Sequence, residues 1–221
     1  MRGMKLIVIT TEDIFEGEAE AINLLFESGL ELLHVRKPHA SRDEMEKLIK
    51  QLNADFYSRM VVHDHYDLAE LYDLRGIHLN NRNRTKRNES MASLSAEALS
   101  GVSSFSCHSL EEVAAISRLT SLPAEAMSGA SYVFLSPVFD SISKVGYKQA
   151  FTPQQLVEAR DRRVIDEKVI ALGGITTENI PLARWYGFGG VAVLGALWRN
   201  FATDGHVNEL LRRFNELQKS V

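Results

Sequence analysis

Two pairs of residues carry most of the chemistry this sequence can offer. His34 precedes Arg36 by two positions, and Ser106 precedes His108 by two. In an extended strand, residues two apart face one side, so each pair is presented together. Imidazole exchanges protons near neutral pH, which makes His108 the principal acid–base candidate. His34 could assist it, or hold a substrate carboxylate together with Arg36. The same alternation turns Cys107 away from His108, which argues against a Cys–His dyad and for a buried structural cysteine. His63 and His65 form a His-x-His pair that would need a third ligand from His34 or Asp64 to hold a metal, and no spacing supplies one. His78 reads as a packed, hydrogen-bonded residue, His39 and His206 as surface residues.

Glycines add a second kind of chemistry. Ala171-Leu172-Gly173-Gly174-Ile175-Thr176 and Gly190-Val191-Ala192-Val193-Leu194-Gly195-Ala196 each end an apolar run and lead into a helix. Glycine lets backbone N–H groups approach an oxyanion closely, and a helix start adds partial positive charge. Gly173, Gly174, Gly195 and Ala196 are therefore expected to bind phosphate. Ser141, Ser143 and Lys144, near Gly146, offer two hydroxyls and an ammonium on a loop suited to close over an anionic substrate.

Something must bring these residues together. Eight short strand-like runs are present: 6–9, 32–35, 60–62, 76–79, 102–106, 131–138, 169–172 and 190–194. Helical patterns lie between them. Glu18 to Phe26 carries an apolar side and is stopped by Gly29. Ser41 with Glu44, and Ser109 with Glu112, have the spacing of capping boxes. Thr152-Pro153 and Thr177-Glu178 resemble helix starts, and Val207, Leu210, Leu211, Phe214 and Leu217 form the stripe of a terminal helix. Repeated β-then-α units predict an α/β fold, a (β/α)8 TIM barrel, with a doubly wound sheet as competitor. Active sites of such barrels sit at the C-terminal strand ends, where the reactive residues of this chain cluster.

The 221 residues are 45% apolar and 24% charged, with a net charge of −4. This predicts one globular domain, 1–221, with no field to recruit nucleic acid or an anionic membrane. The basic run Arg82 to Arg87 lacks interleaved aromatics for base stacking. One cysteine permits no internal disulfide and fits a reducing compartment, and the expectation is a cytoplasmic protein without a membrane span.

Taken in order, these segments resemble the thiamine-phosphate synthase/TenI family of barrels. The resemblance runs from Leu6 to about Ala196. It is carried by Leu33-His34-Val35-Arg36, by Val62 to Ala69 leading into Gly76-Ile77-His78-Leu79, by Ser106-Cys107-His108-Ser109-Leu110-Glu111-Glu112, by Ala130 through Pro137-Val138-Phe139 to Lys144, and by the two glycine turns. It implies a thiamine-biosynthesis enzyme whose partner is a small-molecule thiazole phosphate, and it leaves a homo-oligomer open. Two activities are implied. A synthase joins a pyrimidine diphosphate to a thiazole phosphate with magnesium, using Asp64 as metal ligand. A TenI-type tautomerase aromatises a thiazole carboxylate phosphate with no cofactor.

Several residues depart from the synthase pattern. His34 replaces a glutamine, His63 an asparagine, and Pro38 the lysine that meets the diphosphate, although Lys37 could swing across. The second magnesium carboxylate falls at about Asn83, which is neutral, and magnesium favours carboxylates. The histidine that the family uses for proton transfer falls on His108. The tautomerase is therefore the expected activity, with catalytic residues His108, His34 and Lys144. Arg36, His63, Asp64, Ser106, Ser141, Ser143 and the glycine turns would bind substrate. The synthase is the alternative, and a non-catalytic phosphate-ligand sensor a third.

Overall fold

The computed structural model describes residues 3–80, 101–120, 132–140 and 148–221. Eight parallel strands close into a barrel in sequential order: β1 (Lys5–Ile9), β2 (Leu32–Val35), β3 (Met60–Val62), β4 (Gly76–Leu79), β5 (Val102–Cys107), β6 (Tyr132–Leu135), β7 (Val169–Leu172) and β8 (Gly190–Val193). The ring closes where Lys5 to Val8 of β1 align with Gly190 to Val193 of β8. The architecture is the (β/α)8 barrel.

Helices cover the outside: α1 (Glu18–Glu27), α2 (Arg42–Gln51), α3 (Asp67–Leu71), α4 (Leu110–Thr120), α5 (Pro153–Asp161), α6 (Ile180–Trp185), α7 (Gly195–Trp198), α8 (Phe201–Asp204) and α9 (Val207–Ser220). The expected capping boxes form at Ser41 with Glu44 and at Thr152 with Gln155, Pro153 taking the first turn of α5, where its missing N–H costs nothing. At α4 the box is only half made. The Ser109 hydroxyl accepts from Glu112 N–H, but the Glu112 carboxylate accepts from the N–H of His108 at 2.6 Å instead. α6 starts at Ile180 rather than at Thr177-Glu178. Asn179 supplies the turn there, accepting from Thr176 N–H and donating to the Gly174 carbonyl.

Strand alternation divides the core in two. Leu33, Val35, Phe105 and Cys107 face the helix layer, while Ile7, Ile9, Leu32, Val61, Phe134, Ile170 and Ala192 fill the barrel interior. That interior is unequal around its circumference. The arc of β7, β8 and β1 is apolar. The arc from β2 to β6 instead buries His34, His63, His78, Ser104, Ser106 and Tyr132. Among the described residues, no helix is long and apolar enough to cross a membrane.

Candidate active site

The C-terminal strand ends open into a cavity of about 300 Å³. Arg36, His63, Asn80, Ser106, His108 and Ser136 form its polar wall, with Ile9, Phe134 and Leu172 as its apolar wall. Four of the residues singled out by type and spacing, Arg36, His63, Ser106 and His108, thus meet in one place. Asn80 and Ser136 join them without having been singled out as site residues.

His108 stands just past β5 on the rim, exposed to solvent. Its backbone is held by Glu112, and its Nδ1–H donates to the Ser136 carbonyl at 3.1 Å, with the Ser136 hydroxyl 3.3 Å away. A proton fixed on Nδ1 leaves the lone pair on Nε2, the form a general base requires. Across the cavity, the Arg36 guanidinium pairs with Glu12 at 3.0 Å, both groups half-buried. Thr10 clamps the Arg36 backbone, accepting from its N–H and donating to its carbonyl.

Beneath the rim lies a polar network. His34 Nε2 meets the Tyr132 hydroxyl at 2.6 Å, and its Nδ1 meets His63 Nε2 at 2.8 Å. His78 bonds through Nδ1 to the Ser104 hydroxyl and through Nε2 to that of Ser106, each at 2.8 Å. The His63 and His78 rings stack with centroids 4.1 Å apart. Burial pushes His34 well below the ordinary imidazole range, and the neighbouring His78 and Arg75 add to the effect, so the ring stays neutral.

One expectation requires correction, and two open possibilities are closed. His34 has no exposed surface and both ring nitrogens are engaged, so it supports the cavity floor rather than touching a substrate carboxylate beside Arg36. Lys37 cannot swing toward a diphosphate. It is buried against Glu18 at 2.5 Å and also donates to the Asp13 carbonyl and the Thr11 hydroxyl. Burial lowers its pKa, and the Glu18 carboxylate opposes that shift. His63 and His65 share no site, because His65 adopts φ 52° and turns away to donate to the Ala40 carbonyl.

The glycine turns have a packing reason of their own. Gly173 and Gly174 take φ 96° and 63°, and a Cβ on Gly174 would lie 2.1 Å from the Asp140 carbonyl oxygen. Thr176 after β7 and Ala196 after β8 line one groove with Arg199, Arg212 and Arg213, the last two paired with Glu209. Asp64 is half-buried beside His63 and outside the cavity lining. Ser141, Ser143, Lys144 and Asn83 lie outside the described residues, as does the basic run from Arg82 to Arg87.

The family model for thiamine monophosphate synthase matches residues 6–197. A thiamine-phosphate synthase of Shouchella clausii is 27% identical over 185 residues, which is 81% of each chain. One from Staphylococcus carnosus is 26% identical over 216 residues, covering 92% of this chain and 91% of its own. A crystal structure of a thiamine phosphate pyrophosphorylase from Bacteroides thetaiotaomicron superposes with a TM-score of 0.77 at 36% identity, covering 98% of this chain and 97% of that one.

Proposed function

This chain belongs to the thiamine monophosphate synthase family, and on that premise we propose that its barrel mouth binds a thiazole phosphate and shifts a proton on the ring. The observation that carries this reading is His108. Its Nδ1–H is tied to the Ser136 carbonyl, which leaves Nε2 as the basic nitrogen beside a cavity that also contains Arg36. In the proposed tautomerisation, Nε2 takes a proton from one ring position and returns it at another, with no net change in atoms. Arg36 holds the carboxylate, and the turns after β7 and β8, with Ser141, Ser143 and Lys144, hold the phosphate. A positioned base of this kind contributes roughly 10²–10⁴-fold.

A second reading, thiamine-phosphate synthase, is favoured by the names the relatives carry. Two features of the site weigh against it. Lys37 is committed to Glu18, and among the described residues the cavity lining contains no carboxylate, Asp64 standing outside it and Glu12 being paired with Arg36. That donor set suits the hard, oxygen-seeking ion poorly.

One pair of assays separates the readings. His108→Ala should reduce tautomerisation by about 10²-fold or more while leaving thiazole phosphate affinity nearly unchanged. Unaltered turnover would remove His108 from the reaction. Robust magnesium-dependent pyrophosphate release from hydroxymethylpyrimidine diphosphate and thiazole phosphate would establish the synthase instead.

A further inference from the structure

We propose that His34, His63 and His78 form a three-imidazole site for a divalent transition metal at the floor of the barrel mouth. One ligand nitrogen from each ring can be chosen so that all three lie within 4.8 Å of one another. Metal-bound imidazole nitrogens at about 2.0–2.1 Å from the ion stand about 3.3 Å apart in a tetrahedron, so binding requires the stacked His63 and His78 rings to turn until their nitrogens converge. Barrel interiors of this kind are ordinarily filled by bulky branched side chains. Here three imidazoles, each at most 3% exposed, occupy one arc of it.

The surrounding hydroxyls orient two of the rings as ligands. The Tyr132 hydroxyl can accept from His34 Nε2–H and itself bonds to Ser104, which in turn can accept from His78 Nδ1–H. With those protons placed, His34 presents Nδ1 and His78 presents Nε2 as lone-pair nitrogens, the arrangement that second-shell partners impose on metal-bound histidines. Without metal, His63 Nε2–H donates to His34 Nδ1. On binding, that proton passes to the other nitrogen of the His63 ring and the Ser106 hydroxyl gives way from His78 Nε2, so three neutral imidazoles face the ion with no net loss of protons. Imidazole donors select zinc, cobalt, nickel or copper over magnesium. The site is distinct from His108, whose proposed chemistry needs no metal.

Cobalt(II) added to the metal-free protein should give visible ligand-field bands that saturate at one equivalent, and zinc should bleach them by displacement. His63→Gln keeps a donor to His34 but removes one imidazole, and should abolish the bands. Tyr132→Phe leaves all three ligands and removes the hydroxyl that orients His34, so it should weaken cobalt binding about 10–100-fold. Circular dichroism establishes that each variant is folded. Absence of bands from the wild-type protein, or their survival in folded His63→Gln, overturns the proposal. Should His63→Gln fail to fold, unchanged cobalt affinity in Tyr132→Phe overturns it.

Discussion

His34 is buried with both ring nitrogens occupied, and its pKa is pushed down mainly by loss of solvent and further by His78 and Arg75. In the unfolded chain the same ring protonates near pH 6.5. Below that value the unfolded state binds a proton that the folded state refuses, so stability falls as the pH drops. Above it the contribution is complete. Urea midpoints measured between about pH 5 and 8 should decline on the acid side, and His34→Gln should flatten that decline. A profile equally steep in the variant would assign the acid sensitivity elsewhere.

At the scale of elements, the Lys37–Glu18 pair joins the end of β2 to the start of α1. It draws in Thr11 and Asp13 from the loop between β1 and α1. Both side chains are fully buried, so removing one strands the other charge without solvent. Lys37→Met alone should cost about 3–5 kcal/mol, and adding Glu18→Leu should recover most of the loss. Denaturant titration of the two variants checks this. Equal stability of single and double variants would mean that water reaches the pair.

The strands were the most legible elements. Those at 32–35, 60–62, 76–79 and 169–172 fall where their apolar runs predict, because burial on both faces leaves short, mainly apolar stretches. The run 131–138 yields a shorter strand, Tyr132–Leu135, since Pro137 has no N–H for a ladder bond. Alternation also identified the facing of His34, Ser106 and Cys107. It could not show which strands bring their inward residues to the same level. The register shift between Ile77 and His78 sets His78 against Ser104, and pairing of β2 with β3 brings His63 above His34. Each histidine therefore read as an isolated residue, although inward parity at His34, His63, His78, Ser104 and Tyr132 was the available signal. Lys37 left no such trace, because its partner lies 19 residues away in what reads only as a helix start.

For the molecule as a whole, closure of the barrel by β1 and β8 is backed by bonds from α7 and α9. The Trp198 indole N–H donates to the Ile9 carbonyl across 189 residues, and Gln218 donates to Gly29 after α1. α9 buries Leu210, Phe214 and Leu217, each at most 1% exposed. At about 1.5–3 kcal/mol per buried side chain, these three contribute roughly 5–9 kcal/mol. Domains of ordinary stability have only about 5–15 kcal/mol in total. A chain ending at Asp204 should therefore lose its cooperative thermal transition in circular dichroism. A sharp transition retained by the shortened chain would show that the barrel closes without this helix.

The unequal interior also divides the barrel's freedom to drift. Along β7, β8 and β1, one aliphatic residue can replace another when total volume is kept, so neutral variation can accumulate there. At the polar positions between β2 and β6, a substitution must answer to several directional partners at once, and a lone change orphans a neighbour. The apolar arc of this wall can wander through sequence space by single steps, while the polar positions opposite can move only by concerted ones.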